Sequence, residues 1–173
     1  MTARSRVGAA DAAADSFVPF EADKRLQVVI DTREQRGWTF EPKQVAVTRK
    51  ALPAGDYSLV GLEGRVALER KSLGDLVNTV IHDWLRFRKE LVRLSGYDVA
   101  AVCVEANIGQ VYRHEYESEA SPASVLGRVN SIFVDHSIPV LWWRDRDTAA
   151  DMAHRLLLLV WRRFHDAGLA DIA

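Results

Sequence analysis

Four polar residues stand where the surrounding pattern brings them within reach of one another: Asp31, Asp56, Glu69 and Lys71. Successive side chains on a strand point to opposite faces. In the run Arg65 to Lys71, Glu69 and Lys71 therefore share one face, while Val66, Leu68 and Arg70 share the other. A carboxylate and an ammonium are presented together. Asp56 lies thirteen positions before Glu69, at the start of the preceding hairpin strand, and Asp31 ends an apolar strand that can run beside it. Three carboxylates can thus meet at one edge of a sheet. Such a constellation suits phosphodiester hydrolysis. Hard oxygen ligands hold Mg²⁺ or Mn²⁺, the cation polarises a phosphoryl oxygen and lowers the pKa of bound water, and the lysine orients that water or offsets developing charge. An isolated Glu-x-Lys tripeptide is common at strand ends; the order Asp, hairpin turn, Glu-x-Lys carries the specificity.

The elements that must carry these residues are written around them. Leu26-Gln27-Val28-Val29-Ile30 is short, β-branched and apolar and stops at Asp31, the profile of a buried strand. Val45-Ala46-Val47-Thr48 predicts a second strand. After the turn signal Pro53-Ala54-Gly55, the runs Asp56 to Val60 and Arg65 to Lys71 flank Gly61-Leu62-Glu63-Gly64, which predicts a hairpin with a four-residue loop. Ser72-Leu73-Gly74-Asp75 reads as a capping box with Ser72 as N-cap, so a helix starts there. Trp84, Phe87, Leu91 and Leu94 recur at spacings of three, four and three ahead of Gly96, with Arg86, Lys89 and Arg93 along another face. That pattern predicts an amphipathic helix with a basic stripe. Val99 to Val104 is a continuous apolar strand ending in Glu105, and the charged, aperiodic stretch from Asn107 to Ala120 reads as a loop. Ser121-Pro122 supplies an N-cap and first-turn proline for a helix whose buried stripe is Val125, Leu126, Val129, Ile132 and Phe133. Pro139 to Trp143 predicts another buried strand. A closing helix runs from near Asp147 or Thr148 to about Phe164, its apolar residues covering most of the circumference. Alternating strands and helices, with strands apolar on both faces, imply an α/β layer fold: a mixed sheet flanked by helices in a single domain.

Composition narrows the function. At 173 residues the chain suffices for one domain with a real core. A hydrophobic fraction of 48% with 27% charged residues is ordinary for a globular protein, and no apolar run approaches bilayer length, so no membrane partner is expected. Cys103 is the only cysteine, which excludes an internal disulfide and a four-cysteine zinc site and fits a reducing, cytoplasmic location. His82, His114, His136, His154 and His165 show no regular ligand spacing, which argues against zinc. A net charge of −1 and a pI near 6.5 argue against coating nucleic acid by charge alone; any such grip must be a local patch.

Asp31-Thr32-Arg33-Glu34, then Gly55-Asp56-Tyr57, then Glu69-Arg70-Lys71-Ser72-Leu73-Gly74-Asp75 resembles a known signature. In order and approximate spacing it is similar to G-D-x(n)-E-R-K-x-x-x-D, with its upstream D-x-R-E, of the XPF-type nuclease domain. The resemblance extends from about Leu26 to Phe164. It implies a restriction-endonuclease-like fold, cleavage of branched or single/double-strand junction DNA with Mg²⁺ or Mn²⁺, and dimerisation. Position by position it implies metal coordination by Asp56 and Glu69 with Asp31 beside them, and a catalytic role for Lys71. It further implies contact of Arg33 with the scissile phosphate and supporting places for Glu34, Arg70 and Asp75. Residues 1–24 are then expected to be a flexible tail, 25–166 the nuclease domain and 167–173 a short tail. Neither a tandem helix-hairpin-helix module after Phe164, as in larger members, nor a helicase before the domain is expected. DNA retention is therefore expected to draw on a homodimer formed through the last helix. There Met152, Leu156 and Leu159 would face the sheet, and Leu158 and Trp161 would form an exposed strip that a second copy covers.

Blander readings stand beside these. A carboxylate at the third helical position, as at Asp75, caps backbone N–H groups whether or not a substrate is present. Arg86, Lys89 and Arg93 form a solvated face as readily as a phosphate-contacting one. The same fold also serves as a catalytically silent DNA-binding or scaffolding subunit, against which the clustered carboxylates argue. An exonuclease acting on linear ends is a third reading.

Overall fold

The computed structural model describes residues 25–170, with side chains described through Asp166; the tail expected over 1–24 lies outside the described residues. Six strands form one sheet in the order β2-β1-β3-β4-β5-β6. They are β1 (Leu26–Ile30), β2 (Val45–Arg49), β3 (Tyr57–Leu59), β4 (Val66–Lys71), β5 (Val99–Val104) and β6 (Val140–Trp142). The β1/β2, β4/β5 and β5/β6 pairs are parallel, and β3 is antiparallel to both β1 and β4. The sheet is mixed, as the hairpin required, and β1, β4 and β5 run the same way. Their C-terminal ends reach one edge, the edge where sheets of this kind bind ligands.

Helices cover both faces: α1 (Leu73–Ile81), α2 (Trp84–Leu94), α3 (Ile108–Tyr112) and α4 (Pro122–His136) on one, and α5 (Arg146–Ala170) on the other. The period-two rule sorts the core. On β4, Val66 and Leu68 pack with Ala149, Ala153, Leu157 and Val160 of α5, while Ala67 packs with Leu76, Val80 and Leu91 of α1 and α2. Ser72 caps α1 by accepting the Asp75 N–H at 3.2 Å, and Ser121 caps α4 with Pro122 in its first turn. Among the described residues no helix is long and apolar enough to cross a membrane.

Several elements differ from the sequence expectation. The loop expected over 107–120 contains α3, started by a capping box in which Asn107 and Gln110 exchange hydrogen bonds. In α4, Phe133 is 62% exposed, and β6 is only partly buried because it is an edge strand. The closing helix continues to Ala170, past the expected start of a tail at 167. Its buried stripe is Ala149, Ala153, Leu157 and Val160, so Met152 and Leu159 face out, while Leu158 and Trp161 pack against the core. Leu156 packs against the core as expected, and the other four positions are reversed. Alanines at 149 and 153 let the helix axis approach the sheet closely, and that contact sets the rotation of the helix.

The segment between β1 and β2 is held by buried polar bonds. Trp38 stacks on Tyr57 with ring centroids 4.3 Å apart and donates its backbone N–H to the Tyr57 hydroxyl at 2.6 Å. Its indole N–H donates to Glu105 Oε1 at 2.7 Å. Arg70, on the α5 side of β4, donates to both Glu105 oxygens at 2.8 and 2.9 Å and to Glu34 at 3.4 Å. Arg146 from α5 also reaches Glu105, and the carbonyls of Arg36 and Gly37. The Arg70 and Glu105 side chains are 9% and 6% exposed. Removing one partner of such a pair leaves an uncompensated buried charge, which costs roughly 3–5 kcal/mol. Glu105→Ala is accordingly expected to lower the unfolding free energy by about that much in urea melts. A loss under about 1 kcal/mol would mean that water reaches Arg70 and that the pair is not a structural anchor.

Candidate active site

Backbone pairing brings the acids into one row. Asp31 donates its N–H to the Asp56 carbonyl at 2.8 Å, and Asp56 donates its own to the Leu68 carbonyl at 2.9 Å, next to Glu69. Asp56 Oδ2 then accepts the Arg70 N–H at 2.8 Å, which fixes the carboxylate beside β4. Glu69 Oε1 accepts from Lys71 Nζ at 2.6 Å, and the ammonium also sits 5.2 Å from the Phe87 ring centroid. Asp56, Glu69 and Lys71 all line a cleft of about 370 Å³. Arg33 lines the same cleft, as do Thr79, Arg86, Lys89, Glu90 and Arg93 from α1 and α2.

Asp31 takes a different place. Its carboxylate is 1% exposed, and both oxygens are engaged: Oδ1 by the Arg33 N–H and Nε at 2.7 Å each, and Oδ2 by Arg33 Nη2 at 3.0 Å and the Leu52 N–H at 2.6 Å. The buried carboxylate pins a guanidinium that is itself 72% exposed, and Arg33 Nη2 also reaches the Leu52 carbonyl at 3.0 Å. Asp31 is therefore placed to orient Arg33 at the cleft mouth. Glu34 and Arg70 lie on the other side of β4, in the Glu105 network. Asp75 is an N-terminal helix acid that accepts from Ser72 Oγ at 2.6 Å, outside the cleft lining. Of the eight residues singled out in the sequence, the structure gathers Arg33, Asp56, Glu69 and Lys71 in the cleft.

Two residues that the site depends on had no role assigned from the sequence. Glu90 accepts the Gly55 N–H at 3.0 Å and pairs with Arg93 at 2.6 Å, yet it sits among exposed charges on an amphipathic helix. Glu105 was visible only as the last residue of an apolar run. Partners 35 positions away, as in both Gly55–Glu90 and Arg70–Glu105, leave no local pattern.

Asp56 departs from an ordinary aspartate. Burial, then the neighbouring Glu69 charge, pushes Asp56 up to about 8, against the Arg70 N–H and the Lys71 ammonium. Burial works against the charge on Lys71, but the Glu69 carboxylate outweighs it and raises the ammonium's pKa. Asp31 is the opposite case: hydrogen bonds from Arg33, opposed by burial and assisted by Leu52, hold it down at about 2. A divalent cation fits the Asp56–Glu69 donor set. Both acids are hard oxygen ligands on one cleft wall, and the charge that Asp56 resists carrying is what a cation would neutralise. Among the described residues no cluster of three metal-ligating side chains occurs. Two carboxylates completed by water and substrate oxygens suffice for Mg²⁺.

The ERCC4 domain pattern matches residues 30–156, the stretch that carries every cleft residue. The chain belongs to the ERCC4 domain family. XPF from Aeropyrum pernix is similar to this ERCC4 domain with a TM-score of 0.65 and 25% identity, over 82% of this chain and 68% of that one. A second structure of XPF from the same organism, in complex with DNA, is similar at a TM-score of 0.63 and 24% identity, over 80% and 66% of the two chains. MJ1505 of Methanocaldococcus jannaschii, which carries the name of an ATP-dependent RNA helicase, is 26% identical over 129 residues. That match spans 75% of this chain and 15% of MJ1505. The sheet and its flanking helices thus have the restriction-endonuclease-like arrangement of the XPF nuclease, and the ERCC4 family is one of structure-specific DNA endonucleases.

The pKa of Asp56 makes the stability of the metal-free ERCC4 domain depend on pH. Folded Asp56 holds its proton up to about 8, against 3.8 for an ordinary aspartate. Its contribution is fully present below the lower value and is lost as pH rises through the upper one. In EDTA, the melting temperature is expected to fall between about pH 4 and about pH 8, and to fall less for Asp56→Asn, which stays neutral. Parallel curves for the two proteins would contradict the assignment.

Proposed function

We propose that this ERCC4 domain is a Mg²⁺- or Mn²⁺-dependent DNA endonuclease acting at branched or single/double-strand junction DNA. The observation that carries the reading is the placement of Asp56, Glu69, Lys71 and Arg33 in one cleft whose outer wall is the basic stripe of α2. Five cations and three carboxylates line that cleft in a chain of net charge −1, which answers the demand for a local anionic-polymer site.

Asp56 and Glu69 would hold the cation, which when bound supplies Lewis acidity and charge neutralisation at a phosphoryl oxygen. The remaining work belongs to the chain. Arg33, steered by Asp31, offers a guanidinium to the phosphate, whose geometry a fork of N–H donors matches. Lys71, tethered to Glu69 and backed by Phe87, holds positive charge where the pentavalent phosphate gathers negative charge and orients the attacking water. Thr79 and Phe87 close the inner wall.

Labelled flap, fork and plain duplex DNA, incubated with Mg²⁺, Mn²⁺ or EDTA, test the reading. Asp56→Asn should reduce cleavage by about 100-fold or more while the domain stays folded. Lys71→Ala should lose turnover to a similar degree yet retain Mn²⁺ binding by calorimetry. Cleavage by Asp56→Asn at the wild-type rate would sink the assignment. Binding of flap DNA by the wild type with no cleavage in either metal would support the silent scaffold instead. Cleavage of closed circular DNA separates an endonuclease from an exonuclease acting on ends.

The same proposal includes a homodimer through α5. Its support is the pair Met152 and Leu159, 38% and 63% exposed and two helical turns apart on one face. Replacing both with glutamate should give folded monomers with weaker DNA binding. Light scattering that reports a monomer for the unmodified protein at micromolar concentration would refute the pairing.

A further inference from the structure

Several anion-binding groups in the cleft converge on a carboxylate of the protein itself. The Gly55 N–H donates to Glu90 Oε1 at 3.0 Å, and Arg93 donates to Glu90 Oε2 at 2.6 Å. Arg33 also lies within the field of the Glu90 charge. Glu90 is not sealed in: its side chain is 24% exposed and that of Arg93 is 61% exposed. Lys89 is exposed and has no ion-pair partner among the described residues. A backbone N–H and a guanidinium directed at two oxygens of one anion is the arrangement that proteins use for phosphate.

We infer that α2 carries a second phosphate subsite, formed by the Gly55 N–H, Arg93 and Lys89, in which the Glu90 carboxylate holds the place of a DNA backbone phosphate next to the scissile one. The inference rests on the nuclease reading of the cleft and adds to it where the strand runs and what it displaces. Two features support an exchange in preference to a permanent tether. The bonds from Gly55 and Arg93 go to separate oxygens of a partly exposed side chain, so Glu90 can swing into water without burying a charge. Lys89 adds a cation beside Glu90 that no carboxylate among the described residues pairs with. An incoming phosphate meets donors already aimed at an anion, with little reorganisation.

The test is DNA binding in EDTA, so that cleavage does not intervene, read by anisotropy of a labelled single-stranded oligonucleotide across a salt series. Glu90→Gln keeps an oxygen for the Gly55 N–H and removes the charge. It should bind about fivefold to tenfold tighter than wild type at low salt, with the gain shrinking as salt rises. Arg93→Ala and Lys89→Ala should each bind more weakly, and each should lower the slope of log affinity against log salt by about 0.7. Wild-type affinity for Glu90→Gln, together with an unchanged slope for Arg93→Ala, would overturn the subsite and leave Glu90 as a tether of the Gly55 turn. The two readings fail separately. Cleavage by the wild type with no effect of these substitutions removes only the subsite, whereas a wild type that neither binds nor cuts DNA removes the nuclease reading on which it rests.

Discussion

A buried guanidinium on one face of β4 fixes what the other face can do. Arg70 lies between Glu105 and Glu34 with 9% of its side chain exposed, so β4 cannot slip or rotate without stranding a charge in the core. Because side chains alternate, locking Arg70 towards α5 locks Glu69 and Lys71 towards α1 and α2. The Arg70 N–H, held in the same strand, is the group that orients Asp56. One ion pair therefore constrains the register of β4 against β5, the seating of the Trp38 segment and the direction of two cleft carboxylates. The cleft face carries little of its own fixation. It borrows rigidity from the opposite side of the sheet, which leaves its polar groups available to substrate.

The cleft itself is built against local electrostatic preference. Two carboxylates share one wall, and burial together with the like charge of Glu69 leaves Asp56 holding its proton to about 8. Lys71 compensates only part of that repulsion, since it already hydrogen-bonds Glu69 at 2.6 Å. Asp31, next in the same row, suffers none of it, because Arg33 and the Leu52 N–H satisfy both its oxygens. Two aspartates at neighbouring strand ends thus end with opposite shifts. Burial and the Glu69 charge raise the one, hydrogen bonds from Arg33 outweigh burial at the other, and the difference separates a positioning acid from a pair suited to a cation.

Much of this was legible in the residue order. The alternation in Val66 to Lys71 put Glu69 and Lys71 on one face and Arg70 on the other, the Ser72 cap started α1, and the runs flanking Gly61 to Gly64 predicted the hairpin; all three are observed, although residues 60–65 connect the two strands where a four-residue loop was expected. What escaped depended on contacts far apart in sequence or on size and not hydrophobicity. Asp31 ended its strand as expected, but only the fold brings Leu52 to its second oxygen. On α5 the leucines drew attention, whereas the sheet selected Ala149 and Ala153, because a small side chain admits closer packing than a large one. The signal for α3 was present in Asn107 and Gln110, an N-cap and its reciprocal partner, and was obscured by the polarity around it.

Gly55 is where these constraints meet. Its φ of +73° lies in the left-handed region, and a Cβ there would come within 3.0 Å of the Ala67 Cβ and 3.2 Å of the Leu68 carbonyl. Both neighbours belong to β4, so neither yields without disturbing the strand that Arg70 anchors. The absent side chain lets the turn lie flat on β4, which carries Asp56 beside Glu69. The same conformation sends the Gly55 N–H outward to Glu90 instead of into the sheet. A glycine that a turn alone would merely favour is here required by packing, and its requirement couples the position of Asp56 to the position of α2. The acidic wall and the basic wall of the cleft are consequently set by one backbone conformation, and a change at residue 55 would move both.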